Sequence, residues 1–364
     1  MNGQRPAIDP AVVREAEARC RRDDGIRLTI AAPDEYADIE AASRGAAAGE
    51  VMSPLTAELT AWFVDRNPCG QGFVVIARDA DNGRIAGHFV FYPWLLRRRA
   101  AGGAISEVPV FLHVRLWVDG GFRRRGVFLS MTTFGVELLR RMGIGLVYTV
   151  PNPRSAAGFL KLGEEHAGDL PFWVRPLLPG WGWLAGGRPA HGLEVERRAE
   201  FDDRLDGVAD RSLPPTVAFW SPRRATLLNW RYPSRPDGDY EIRYIHRAGR
   251  PTGYLVTRRM RIKGLRTLVV CDFGSEQLDA AVLRAGLEDA ARSGERAQIA
   301  IAMGGSAVPN LRRALRRTGF LPCPRALLPQ PVAIIGGGIG NGDRRIDLPA
   351  IDRWHLTPCD WDVF

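Results

Sequence analysis

One order of elements occurs twice along this chain, and that repetition constrains the fold more than any single motif. In the first pass, apolar strand patterns at 73–78 and 84–92 flank the turn signal Asp81-Asn82-Gly83, which predicts a hairpin. A longer strand follows at 108–118. Then Val127, Phe128, Met131, Phe134, Leu138 and Met142 recur at helical steps, predicting an amphipathic helix over 126–142. A buried strand at 144–150 and a short helix at 152–162, stopped by Gly163, complete the unit. In the second pass, strands at 240–247 and 252–259 flank Ala248-Gly249-Arg250-Pro251. A strand at 265–273, a helix at 278–292, a strand at 298–302 and a helix at 310–317 ended by Gly319 follow. The sequence therefore reads as two copies of one α/β unit. A strand at 27–31 and helices at 34–48 and 54–64 precede the first hairpin, and 96–104 reads as an arginine-rich loop. The Gly- and Pro-rich stretch 177–189 marks a boundary. The expected organisation is a lead-in at 1–24, a first domain at 25–185, a second at 186–335 and a tail at 336–364.

A chain of 364 residues has room for two domains, and 45% hydrophobic with 25% charged residues gives each a core. No run of about 18 uncharged apolar residues predicts a membrane span, and the charged N-terminus has no apolar signal segment. The five cysteines (Cys20, Cys69, Cys271, Cys323 and Cys359) are scattered, with no C-x-x-C pair, so neither a metal site nor a disulfide framework is expected. A reducing cytoplasm suits that pattern. The net charge of +9 comes almost wholly from arginine, since Lys161 and Lys263 are the only lysines. The arginines sit beside Asp and Glu at helical spacing, without a basic stripe interleaved by aromatics, so no nucleic-acid partner is expected. Planar guanidinium does suit a phosphate-bearing small molecule.

The segment that carries chemistry is Leu116-Trp117-Val118-Asp119-Gly120-Gly121-Phe122-Arg123-Arg124-Arg125-Gly126-Val127-Phe128. A strand ends, the chain turns, and an arginine–glycine run opens a helix. First-turn backbone N–H groups have no partner within a helix, and the helix dipole makes that end positive. A diphosphate seated there meets several amides at once. Glycine allows close approach.

This segment resembles the acyl-coenzyme A site of the Gcn5-related N-acetyltransferase (GNAT) superfamily, whose pattern is Arg/Gln-x-x-Gly-x-Gly/Ala. Arg123 fills the first position and Gly126 the fourth, while Phe128 replaces the small sixth residue. Further on, Asn152, Ser155, Phe159 and Gly163 are similar to the family's Asn-x-x-Ala-x-x-x-Tyr-x-x-x-Gly-Phe, with Ser for Ala and Phe for Tyr. The resemblance covers roughly 25–180 and implies a tandem GNAT architecture: two GNAT-like domains, each a mixed, mostly antiparallel sheet flanked by helices. It implies acetyl-CoA or another acyl-CoA as co-substrate, no metal, and a cofactor site of Trp117, Val118, Arg123, Arg124, Arg125, Gly126, Val127, Phe128 and Asn152. The second copy lacks the arginine–glycine run, and its Asp272 and Glu276 would repel phosphate. One acyl-CoA site, in the first domain, is expected.

Acyl transfer to an amine needs a base for nitrogen and a proton for the departing thiolate. In the family a backbone N–H, here near Trp117 or Val118, donates to the carbonyl oxygen. On strict alternation, His113, Arg115, Trp117 and Asp119 share one face of the strand and Leu112, Val114, Leu116 and Val118 the other. His113 is the candidate base, with a structural histidine as the alternative. Phe159 stands where the family often has its proton-donating tyrosine, which leaves Tyr148 as a candidate donor or a core residue. The tail offers Asp360, Asp362 and the Phe364 carboxylate, either reaching an acceptor amine or exposed. Arg97-Arg98-Arg99 either touch the 3′-phosphate or lie in a solvated loop, and Trp181 and Trp183 either stack on a sugar or join the domains.

The leading expectation is a cytoplasmic N-acetyltransferase, a monomer or homodimer, acting on a small-molecule amine or amino sugar. Two others stay open: a Fem-like aminoacyl or peptidyl transferase, and a non-catalytic acyl-CoA sensor.

Overall fold

The computed structural model describes residues 8–20, 25–44, 54–178, 192–323, 331–340, 342 and 345–362. In chain order, its strands begin with β1 (Ile26–Ile30), β2 (Phe73–Asp79), β3 (Ile85–Arg99), β4 (Ile105–Val118), β5 (Leu146–Thr149) and β6 (Glu165–Asp169). They continue with β7 (Phe172–Pro176), β8 (Leu193–Arg198), β9 (Phe219–Trp220), β10 (Tyr240–Arg247), β11 (Arg250–Ile262) and β12 (Leu265–Ser275). The last are β13 (Ile299–Met303), β14 (Leu321–Pro322), β15 (Ala333–Gly338) and β16 (Trp354–His355). The helices are α1 (Pro10–Arg19), α2 (Tyr36–Ser43), α3 (Ala57–Val64), α4 (Val127–Arg141), α5 (Pro153–Lys161), α6 (Ala225–Arg231), α7 (Ala280–Arg292) and α8 (Pro309–Arg317). Among the described residues no helix is long and apolar enough to cross a membrane.

These elements build two mixed, mostly antiparallel sheets flanked by helices, as expected. The first runs β1-β2-β3-β4-β5-β15-β6 and the second β8-β10-β11-β12-β13-β7-β14. The two orders follow one plan, and in each the strand beside the sheet's last member comes from elsewhere in the chain. The compact units are accordingly interleaved in sequence. One comprises Met1–Leu95, Val108–Gly168 and Ala333–Leu348; the other comprises Leu96–Glu107, Asp169–Val332 and Pro349–Phe364. The boundary expected near 185 falls within 179–191, outside the described residues, as do Trp181 and Trp183. The expected tail is shared: its glycine run ends β15 in the first sheet, and Pro349 onward belongs to the second unit. Gly336 is required there, because a Cβ would stand 2.3 Å from the Val147 carbonyl oxygen of neighbouring β5.

In the first unit, α4 buries Val127, Met131, Phe134, Leu138 and Leu139 on one face of the sheet. Each such side chain contributes about 1.5–3 kcal/mol. Gly135 lets α4 lie close, since a Cβ would meet the Phe91 ring at 2.2 Å. Phe73, Val75, Phe89, Phe91, Phe111 and Val147 supply the sheet side of this core, and Phe159 of α5 joins it. The other face carries α3, whose Phe63 ring lies 5.0 Å from that of Tyr92. In the second unit α7 and α8 cover the core of Leu255, Leu268, Val270, Leu283, Leu311 and Leu315.

Two local expectations are corrected. The strand β3 continues through Arg99 instead of ending at 92, because Arg97 and Arg98 pair with Trp220 and Phe219 of β9. Arg97 is ion-paired with Asp210 and Glu107, and Arg99 lies 5.1 Å over the Trp220 ring. Arg97 and Arg99 are therefore anchored in the second unit rather than lying in a solvated loop. The helix expected at 34–48 is a 3-10 turn, Pro33–Glu35, followed by α2 ending at Ser43, and 45–48 lie outside the described residues.

Candidate functional site

The arginine–glycine segment forms a tight loop between β4 and α4. Asp119 ends the strand and accepts a hydrogen bond from the Gly121 amide at 2.9 Å, opening a 3-10 turn over Gly120–Phe122. Arg124 and Gly126 both adopt left-handed backbone, with φ of 64° and 75°. Gly126 is the N-cap of α4 and provides no side-chain cap. The first-turn amides after it lack intrahelical acceptors by geometry, at the positive end of a 15-residue helix. Arg123, Arg124 and Arg125 are all exposed around the loop. Arg125 lies over the buried Phe122 ring at 5.1 Å, and the Arg123 Nε donates to the Val118 carbonyl at 3.3 Å. Phe128, the departure from the small residue of the motif, turns its ring away from the loop. It packs edge-on to Phe159 at 5.0 Å and fills the space left by Gly158, where a Cβ would stand 2.2 Å from it. The loop residues thus fit a diphosphate.

The strand leading into this loop is forked from its neighbour. Parallel pairing of β4 with β5 is confined to Phe111↔Val147 and Leu112↔Tyr148, and β4 then runs on to Val118. Arg115 has φ of 57° inside the strand, where a non-glycine residue pays a steric penalty and marks a bulge. The bulge shifts the alternation. Phe111 lies in the α4-side core and His113 touches that core's rings, yet so do Leu116 and Val118. Trp117 faces the other side, stacked on His88 at 5.6 Å. The expectation that Trp117 shares a face with His113 is therefore corrected: one extra residue at Arg115 reverses the phase. Trp117 and Val118 remain beside the loop, half-buried.

His113 is the first residue beyond the last rung. Its ring is fully buried against Phe89, Phe91 and Phe159, with centroids 5.3, 5.8 and 4.6 Å away. Its carbonyl accepts from the Thr149 hydroxyl at 2.7 Å, which ties the apex of the fork. Its Nε2 stands 3.5 Å from a carboxylate oxygen of Glu164. Reading the sequence missed Glu164, since it follows Gly163 as an ordinary helix-end acid. Tyr148 is fully buried on β5 at the last rung. Its neighbour Val147 belongs to the α4-side core, so the phenol points to the opposite face from His113. Asn152 caps α5, its side-chain oxygen accepting from the amides of Arg154 and Ser155 at 3.0 Å each.

His88 was also missed. It is buried beside Trp117, and burial pushes its pKa down to about 4, so it is neutral near pH 7. A cavity of about 450 Å3 opens on this same face, lined by Asp38, Arg78, Arg84, Trp117 and Asp119. Its arginines are paired with Glu35 and Asp119. A ligand there meets Trp117 and not the His113 imidazole.

The second unit repeats the fork and closes it. Pairing of β12 with β13 covers only Thr267↔Ile299 to Val269↔Ile301. Past that point, Thr357 shares a cavity of about 20 Å3 with Val270 and Asp272 of β12 and Ala302 and Met303 of β13. The Thr357 hydroxyl donates to Asp272 at 2.9 Å. Arg223 holds Asp360 through both guanidinium ends at 2.9 and 2.8 Å and Asp272 at 2.8 Å, all essentially without solvent. Burial opposes the Arg223 charge, but Asp272 and Asp360 hold its pKa well above the ordinary value. Asp362 pairs with Arg235 at 2.8 Å. Asp360 and Asp362 are thus buried in ion pairs within the second unit, while Phe364 lies outside the described residues. The helix α7 begins at Asp279, whose carboxylate accepts from the Ala281 amide at 2.8 Å. That end carries its own anion.

No protein-family model and no curated protein matches the sequence. Solved structures do match. A tandem GNAT protein from the clavulanic acid biosynthesis pathway aligns with TM-score 0.57 and 14% identity, over 87% of this chain and all of that one. A probable N-acyltransferase from Enterococcus faecalis V583 and a GCN5-related N-acetyltransferase from Anabaena variabilis ATCC 29413 each align with TM-score 0.55 and 12% identity. Both cover 86% of this chain and 73% of their own. The strand order, the forks and these likenesses agree that the chain has the GNAT fold in its tandem form.

Proposed function

We propose that the first unit binds an acyl-CoA, with acetyl-CoA the expected thioester, and transfers its acyl group to a primary amine of a small molecule or amino sugar. The observation that carries this reading is the loop Asp119–Gly126: a helix start with no side-chain N-cap, a left-handed Gly126 and three exposed arginines, at the end of a forked strand. The amides of Val127 and Phe128 with Arg123, Arg124 and Arg125 hold the diphosphate. The thioester runs into the fork, where backbone N–H near Trp117 and Val118 stabilises charge developing on the carbonyl oxygen. His113, at the apex, takes the proton that the amine nitrogen loses as the N–C bond forms, and returns one to the thiolate as C–S breaks. In the second unit, the Asp279 cap and the inserted Thr357 leave neither feature available.

A second reading, acyl-CoA sensing without turnover, is favoured by the complete burial of His113. Release of free thiol separates the two. Incubation with acetyl-CoA and a panel of primary amines is expected to release thiol for at least one amine. Gly126→Val, which forces a β-branched residue into left-handed backbone, is expected to reduce that rate at least about 10-fold by lost binding, a loss of about 1.4 kcal/mol. Binding with no thiol release across the panel would favour the sensor.

A further inference from the structure

The His113–Glu164 contact is an unusual thing to find inside an apolar core. The imidazole is fully buried and the Glu164 side chain is only 8% exposed. Among the described residues, neither ring nitrogen and neither carboxylate oxygen has a hydrogen-bond partner, though Nε2 and Oε2 stand 3.5 Å apart. Each buried polar group left in that state costs on the order of 1–3 kcal/mol, and a hydrophobic pair would fill the same space at no such cost. Phe89 and Phe91 from β3, Phe159 from α5 and the Thr149 hydroxyl from β5 surround the histidine, and none of them titrates near neutral pH. Glu164, just before β6, is the carboxylate the described structure sets against the ring.

We infer that Glu164 is the positioning residue for His113, an inference that rests on the transferase reading above. A carboxylate facing Nε2 selects the tautomer with hydrogen on Nε2, because only that form donates to it. The lone pair is then fixed on Nδ1, the nitrogen left to accept a proton. The carboxylate also stabilises the imidazolium formed when Nδ1 takes the proton from the acylated nitrogen. Nδ1 gives that proton to the CoA thiolate, which restores the neutral ring and leaves the amide and CoA thiol as products. The ring stands one residue past the last β4–β5 rung, at the point where the fork begins. Its burial keeps bulk water from competing for the proton.

The test uses the full-length protein labelled with 15N in histidine, in wild-type form and as Glu164→Gln and Glu164→Ala. The ring nitrogens of wild-type His113 are expected to show hydrogen on Nε2. Glu164→Gln, which still offers an acceptor oxygen, should keep that tautomer while kcat falls about 10-fold; Glu164→Ala should mix the tautomers and lower kcat about 100-fold. KM for acetyl-CoA should stay unchanged in both. A ring spectrum indifferent to residue 164 would overturn the inference, and so would an altered ring with unaltered kcat. Absence of acetyl-CoA binding by the wild-type protein would instead overturn the transferase reading, while the ring spectrum still decides whether Glu164 orients His113.

Discussion

At the residue scale, two buried histidines weaken this fold in acid. His88 in the first unit and His355 in the second are both pushed by burial from 6.5 to about 4, Arg223 adding to the effect at His355. Between those values the unfolded chain binds protons that the folded chain refuses, so their contribution is complete above about pH 6.5 and fades as pH falls toward 4. Each is worth on the order of 3 kcal/mol across that window. Urea unfolding at pH 7 and at pH 4.5 should show a lower midpoint in acid, and His88→Gln should show a smaller drop than wild type. Equal drops for both proteins would contradict the assignment. The same scale shows what a sequence discloses about a site. Gly126 and the arginines were legible because the chemistry of a helix start is local. Glu164 was not, since only the fold brings the carboxylate beside Gly163 to within 3.5 Å of the His113 ring, 51 residues away in sequence.

At the element scale, hydrophobic periodicity located the strands and long helices but not their irregularities. A strict two-residue alternation along β4 placed Trp117 beside His113. The left-handed Arg115 adds one residue and sends the indole to the other face, and nothing in a two-residue period announces a bulge. The closing segment was likewise read for its acids, whereas its buried arginine partners come from distant parts of the sequence. Arg231 of α6 donates to the Cys359, Pro358 and Trp361 carbonyls at 2.9, 3.0 and 2.7 Å, beside the Arg223–Asp360 pair. Removing one partner of such a pair leaves a buried charge uncompensated, at a cost of about 3–5 kcal/mol. Arg223→Met should lose that much in denaturant unfolding. The triple change R223M/D272N/D360N, which removes the charges together, should recover part of it. A single variant within about 1 kcal/mol of wild type would show that the clamp contributes little to stability.

At the scale of the whole molecule, the repeat was visible in the sequence as a rhythm of elements, and both sheets follow it. The exchanged strands were not visible. The six residues of β15 and the five of β7 carry no mark of the sheet they will join, because strand pairing over such distances is set by tertiary packing. The two copies differ at their forks. Two forked sheets are built on one plan, but one fork ends at a glycine N-cap among arginines, and the other is occupied by Thr357 and headed by an acidic cap. On the proposed function, each chain therefore holds one thioester site. Calorimetric titration of the wild-type protein with acetyl-CoA tests this most directly. One site per chain, lost in Gly126→Val, is the predicted result; two sites per chain, or no heat at all, would contradict it.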